Sequence, residues 1–251
     1  MNETQLLDTV IEIGRRLIQC GAEIYRAEES IKRICAAYGY KNAEMFAIPA
    51  GIIVTVVKSD GEPLTRTCRV GRRETNLDRV DKYNSLSRFI CSTRPDYDTI
   101  KRKMAAIEAR KVYSTRAEII SYAVAGTSFA FTFGGGIREA VAAAVICVMI
   151  FFLREFLHKL NSSVFLRSVV CSMIASFVAL SLNYIGIIDG FDKVIISALM
   201  TLVPGVAITN CMRDFIAGDL VAGIYTLTEA ILTAAGIAVG AGSVVAAAIH
   251  G

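Results

Sequence analysis

The sequence has no tryptophan and only two histidines, His158 and His250. Two isolated imidazoles cannot build a zinc centre, and no HExxH pattern is present. The seven cysteines, Cys20, Cys35, Cys68, Cys91, Cys147, Cys171 and Cys211, are scattered, with no CxxC and no Cys/His pairing. Neither a metal site nor a disulfide framework is expected, and the thiols read as reduced. GxGxxG, GxxxxGK[ST] and GxSxG are also missing, so dinucleotide, phosphate-loop and nucleophile-elbow chemistries have no support and no cofactor is expected. The opening stretch "MNETQLLDTVIEIGRR" is acidic where a signal peptide needs bases, so no cleaved secretion signal is expected.

Charge is the next scarcity, and it is unevenly distributed. Residues 119–251 carry 6 Lys/Arg and 7 Asp/Glu, against 21 and 16 in residues 1–118. With 54% hydrophobic residues overall, this asymmetry predicts a polytopic α-helical membrane protein preceded by a small α+β cytosolic domain. The boundary falls near Arg116-Ala117-Glu118, giving a soluble part over 1–117 and a membrane part over 118–251. The lipid bilayer, and not nucleic acid, is the expected large-scale partner.

In the soluble part, Leu6, Leu7, Val10, Ile11, Ile13, Leu17 and Ile18 recur at helical spacing. A second such pattern runs from about Glu23 to Tyr38, joined to the first at Gly21. Between Ala43 and Val70, β-branched residues and the turn dipeptide Asp60-Gly61 predict two or three short antiparallel strands, with Pro49 at a bend or edge. Helical spacing returns over Leu77 to Ile90 and Tyr97 to Tyr113. Glu28-Glu29 could suggest an acid and a base, but adjacent helical positions diverge by about 100°. A solvated helix face explains that pair better.

After Arg116, apolar runs of membrane-spanning length predict five spans at about 118–134, 138–157, 164–184, 193–212 and 221–248. The bases Lys101, Arg102, Lys103, Arg110, Lys111 and Arg116 precede the first span, which puts the soluble domain in the cytoplasm. Five crossings then put the C-terminal His250-Gly251 outside. Small residues such as Gly134-Gly135-Gly136, Gly236, Gly240 and Gly242 fit close helix packing.

The stretch "TLVPGVAITNCMRDFIAGDL", residues 201–220, breaks this apolar pattern. Pro204 removes a backbone donor and Gly205 adds freedom, so a broken helix is expected, with the break about 13 Å from Arg213 along a helix. Glu229 lies ten residues beyond Asp219, or about 15 Å on a continuous helix. The break and the carboxylate thus reach similar depth near the midplane. Such a charge costs about 2.5–3.5 kcal/mol on insertion scales, so Glu229 should face a cavity or carry a proton. Tyr225, Thr226 and Thr233 are nearby hydroxyls. Asn210 and Asp214 share a helix face, and Asp219 starts the next span, where capping explains a carboxylate as well as function does.

These residues carry a family resemblance. "LVPGVAITNCMRDFIAGDLVAGIYTLTEA" resembles the signature of the threonine/serine exporter family, and "GAEIYRAEESIKRICAAYGY", "FAIPAGIIVTV" and "FTFGGGIREA" extend the likeness over nearly the whole chain. The resemblance implies a secondary exporter of small polar metabolites: threonine and serine, or dicarboxylates such as succinate in a two-component branch. Full-length members have two sets of about five spans, so one set resembles the larger subunit of the split form. A separate small membrane protein would supply the other set, giving a hetero-oligomer in the bacterial inner membrane. Matched by motif, Pro204, Gly205, Asn210, Asp214, Gly218 and Asp219 are the pathway positions, with Tyr225 and Glu229 added on the physical grounds above. Two alternatives stay open at this point: a membrane-anchored enzyme using the soluble domain, and a regulatory or scaffolding subunit.

Overall fold

The computed structural model describes residues 2–40, 42–57, 61–71, 75–110, 113–160 and 162–250. The chain separates into two compact units, residues 1–112 with 209–226, and residues 113–208 with 227–251.

The first unit starts with α1 (Glu3–Gln19) and α2 (Ile24–Ala37). Asn2 begins α1 through a capping box, accepting from the Gln5 N–H at 2.8 Å while its own N–H donates to Gln5 Oε1 at 3.1 Å. Gly21 ends α1 at φ +87°, and this left-handed turn is what the missing Cβ permits. Three antiparallel strands follow in the order β1-β2-β3: β1 (Glu44–Ile48), β2 (Gly51–Val57) and β3 (Pro63–Arg69). Pro49 sits in the tight β1–β2 connection, where its missing N–H breaks no ladder bond. Of the expected turn pair Asp60-Gly61, Asp60 lies outside the described residues and Gly61 has φ +87°.

Strand alternation decides which face of the sheet is covered. Ile52, Val54 and Val56 are fully buried and join Leu7, Val10 and Ile31 of the helices in one core. α3 (Leu77–Thr93) and α4 (Tyr97–Glu108) complete this layer. The fully buried Tyr83 of α3 donates to Glu108 Oε1 at 2.5 Å, and Arg16 of α1 reaches the same carboxylate at 3.2 Å, so one acid ties three helices together. Burial first, and the Glu108 hydrogen bond second, push the Tyr83 phenol up. The helical pattern expected to continue to Tyr113 stops at Glu108, because Ala109 and Arg110 close the last turn and Arg110 pairs with Asp78 at 3.0 Å.

The second unit holds α5 (Thr115–Thr132), α6 (Ile137–Lys159), α7 (Val164–Tyr184) and α8 (Phe191–Met200); α9 (Gly205–Ile216) and α10 (Leu220–His250) pass through both units. Its core is rich in alanine: Ala130, Ala143, Ala175, Ala179 and Ala198 are all fully buried. α6 buries one stripe yet exposes Val141, Val145 and Phe152, so its uncharged middle, residues 140–153, is apolar all round, as suits a helix facing lipid. α6, α7 and α10 are each long and apolar enough to cross a membrane, and the pair α8 and α9, bent by 51°, forms a fourth candidate. α5, where the first of five spans is expected, falls short of that standard. Its 18 residues include Arg116 and Glu118 in the first turn, leaving about 21 Å of uncharged helix against a core of about 30 Å.

Glycine sets the helix spacing. A Cβ on Gly126 of α5 would lie 2.8 Å from the Ala143 carbonyl oxygen of α6. On Gly240 of α10 it would lie 2.3 Å from the Val169 carbonyl oxygen of α7. Backbone cannot yield as a side chain can, so these contacts require glycine. Gly242, by contrast, faces open space. Gly240→Ala should therefore destabilise the purified protein by about 1–3 kcal/mol in a thermal or SDS unfolding assay, whereas Gly242→Ala should be neutral.

Candidate functional site

The sequence around Pro204 folds as the missing donor dictates. α8 tightens at its end, with Thr201 N–H donating to the Ala198 carbonyl at 3.2 Å and Leu202 N–H to Leu199 at 2.9 Å. The Thr201 hydroxyl adds a bond to the Ala198 carbonyl at 2.7 Å. Pro204 then stands just before α9, where its carbonyl accepts from the Ile208 N–H at 3.0 Å and no donor is needed from it. The result is the expected broken helix, interrupted over residues 201–204 and bent by 51°.

α9 runs unbroken through Asn210 and Asp214, so they share a face; Asp214 is 4% exposed and Asn210 half-buried. Gly218 ends the helix at φ +84°. Its N–H donates to the Phe215 carbonyl at 3.1 Å and the Asp219 N–H to that of Asp214 at 2.9 Å, the two bonds of a Schellman motif. Asp219 then caps α10, its Oδ1 accepting from the Ala222 N–H at 3.1 Å. Gly218 and Asp219 thus have structural roles, as helix end and helix cap.

Glu229 is half-buried on α10, and its carboxylate has no hydrogen-bond or ion-pair partner among the described residues. The expected neighbours do not supply one. The Thr233 hydroxyl donates back to the Glu229 carbonyl at 2.8 Å, and Tyr225 is 45% exposed. Of the eight candidate positions, Pro204, Gly205 and Glu229 belong to the second unit, and Asn210, Asp214, Gly218, Asp219 and Tyr225 to the first.

The first unit shows contacts that sequence spacing did not reveal. Arg213 of α9 pairs with Glu23, whose buried carboxylate also takes Arg26 at 3.0 Å. Ala222 of α10 is fully buried in the core of helices and strands formed by residues 1–112. Glu28, expected on a solvated face, is half-buried and accepts from the Ala47 N–H of β1 at 2.9 Å; only its neighbour Glu29 is exposed, paired with Arg33 at 2.6 Å. Burial raises the Glu28 carboxyl above its ordinary value near 4.5, the Ala47 N–H and Lys32 pull it back, and the negative charge of Asp219 adds to the rise.

A second missed carboxylate lies in the other unit. Glu139 is 7% exposed at the start of α6 and accepts from the backbone N–H groups of Gly136 at 2.9 Å and Asp189 at 3.1 Å. Lys193 donates to the Gly134 carbonyl at 2.8 Å, so the α5–α6 and α7–α8 connections gather at one end. The clue in the sequence is a carboxylate three residues after the glycine run, in the position of a capping-box acid.

The chain is thus a mostly helical protein with three helices apolar enough to cross a membrane and a bent pair that could form a fourth span. More specifically, the chain belongs to the threonine/serine exporter family: the family model described as "Putative threonine/serine exporter" matches residues 8–248. It is similar to the "Probable threonine/serine exporter" of Mycobacterium tuberculosis, 22% identical over 244 residues that cover 96% of this chain and 46% of the relative. It is also similar to the "Probable succinate transporter subunit YjjP" of Klebsiella aerogenes, 22% identical over 215 residues that cover 85% and 83%. The chain thus spans about half the length of the mycobacterial relative. No solved structure matches. By its description the family is one of exporters.

Two substitutions probe these contacts. Because folded Glu28 holds its proton more tightly than the unfolded chain does, its contribution to stability is full below about 4.5 and is lost as pH rises through the folded value. Asp219→Asn keeps the cap but removes the like charge, so the Glu28 titration followed by carboxyl NMR should move to lower pH. Glu139→Ala leaves two backbone donors unpaired and should lower the unfolding free energy by about 1–3 kcal/mol in detergent.

Proposed function

We propose that this chain is one subunit of an ion-coupled secondary exporter of small polar metabolites, threonine and serine or a dicarboxylate such as succinate, in the bacterial inner membrane. The observation that carries the reading is the break at residues 201–204 within a chain of the exporter family. Unwound backbone inside a membrane offers ligand groups without buried charge, and transporters bind substrate at such breaks.

The helices refine the depth at which this happens. α10 has 31 residues and is about 46 Å long, half as long again as the hydrocarbon core. Residues 230–249 carry no charge and span about 30 Å by themselves, which supports a position for Glu229 toward the cytoplasmic end of its span. Glu229 stands three residues after Thr226 and Pro204 five before Thr209, the two points where the first unit's segment ends and begins. Break and carboxylate therefore keep matching depth, within about 8 Å of that segment along their helices. Glu229 is the proton-exchanging group, Pro204 and Gly205 open the backbone, and Asn210, Asp214 and Tyr225 line the cytoplasmic approach.

In this reading residues 1–117 form the cytosolic domain and 118–251 the membrane domain. α5 is the fifth crossing, held against α6 at Gly126, so that the C-terminus lies outside. The clustering of Gly134, Glu139, Asp189 and Lys193 at one end supports this alternation, as does Arg154, which donates to the Tyr122 hydroxyl at 2.9 Å. A separate small membrane protein supplies a second set of spans, because the chain covers most of a relative named as a subunit but under half of one named as an exporter.

Glu229→Gln removes the titrating group while keeping shape. In proteoliposomes holding the chain and its partner, proton-driven efflux of radiolabelled substrate should fall at least about tenfold, as expected for loss of a proton carrier. Efflux that keeps its full dependence on the pH gradient would refute the role.

A further inference from the structure

The first unit contains a groove that nothing in the transport reading uses. It lies between α2 and α3, has a volume of about 620 Å³, and is lined by Tyr25, Arg26, Glu29 and Arg33 from α2 and by Asn84 and Arg88 from α3, among others. Ser87, 5% exposed, is also part of the lining. The volume is that of a metabolite site. Three guanidinium groups face one carboxylate in this lining, so it is electropositive and attracts an anion.

The three arginines are not equivalent. Arg33 is held by Glu29 at 2.6 Å, and Arg26 by Glu23 at 3.0 Å. Arg88 donates only to the neutral Ser85 hydroxyl at 3.0 Å and has no ion pair among the described residues. Its planar fork, with the Asn84 amide one turn away, suits the two oxygens of a carboxylate. Tyr25 supplies a wall on which Arg26 rests, its guanidinium carbon 6.0 Å from the ring centre.

We propose that the α2–α3 groove binds a small organic carboxylate, seated on Arg88 and drawn also by Arg26, and that occupancy is relayed to α9 through Glu23. The relay follows from sharing. Glu23 accepts from both Arg26 and Arg213. A ligand carboxylate that engages Arg26 leaves Glu23 to Arg213, and the hold on the end of α9 tightens. The converse is required by linkage: loosening Arg213 returns Glu23 to Arg26 and weakens the ligand. The site goes beyond the exporter reading and stands without it.

Calorimetric titration of the full chain in nanodiscs tests the site, with malonate as the carboxylate probe and inorganic phosphate in a separate arm. Malonate should bind saturably, and Arg88→Gln should weaken it about 10- to 100-fold, the worth of a charge-assisted contact. Glu29→Gln, at an exposed position, should tighten binding by about threefold, because it frees Arg33. Arg213→Gln, outside the groove, should weaken binding by about threefold. Unchanged affinity in both Arg88→Gln and Glu29→Gln overturns the site, and unchanged affinity in Arg213→Gln overturns the relay. Phosphate binding as tightly as malonate, and displacing it, overturns the carboxylate assignment. The opposite signs expected for Arg88→Gln and Glu29→Gln separate loss of binding from loss of fold.

Discussion

Helices surrounded by lipid gain little from hiding apolar side chains from one another, so what holds them together is how closely their backbones can approach. Gly126 against Ala143 and Gly240 against Val169 are the points where this chain meets that demand. The alanine-rich core between α5, α6, α7 and α8 follows from the same need, since each small side chain lets the next helix turn come closer. Serines such as Ser172 and Ser176 are buried in mid-helix, whereas a buried carboxylate is found at a helix end, where backbone groups without partners need it. Glu139 is the clearest example: it is buried, yet each donor it meets belongs to a connection between helices.

The layers of helix and strand in the first unit obey the opposite rule. There, water rewards burial, and the alternation along β2 together with the helical stripes of α1 and α2 yields a core that periodicity alone outlines. The two regimes meet in residues 209–226, which sequence hydropathy groups with the membrane helices but which pack with residues 1–112. Ala222 illustrates why. Alanine is apolar enough to fit either unit, and only the structure shows Ala222 fully buried among isoleucines and leucines of the first.

Much of the architecture was legible because it depends on local chemistry. α7 spans the predicted 164–184, since a serine cap and a left-handed glycine bracket a largely apolar run. The break at Pro204 and the turn at Gly218 were visible for the same reason: a missing donor and a missing Cβ act where they stand. What stayed hidden depends on partners far along the chain. The Glu23–Arg213 pair joins residues 190 positions apart, and the burial of Glu28 arises from an N–H on a strand that its own helix pattern does not mention. α5 was legible as a helix, but Arg116 and Glu118 in its first turn leave its length short of what apolar counting suggested.

The turn at Gly218 has a mechanical consequence. Within three residues it returns the chain from α9 to α10 and satisfies its own backbone groups through the carbonyls of Asp214 and Phe215 and the carboxylate of Asp219. A reversal so completely bonded has no slack. The four residues between Met200 and Gly205 hold no comparable lattice, only short turns around a proline. The glycine corner is thereby the stiffer of the two reversals, and bending is expected at the proline.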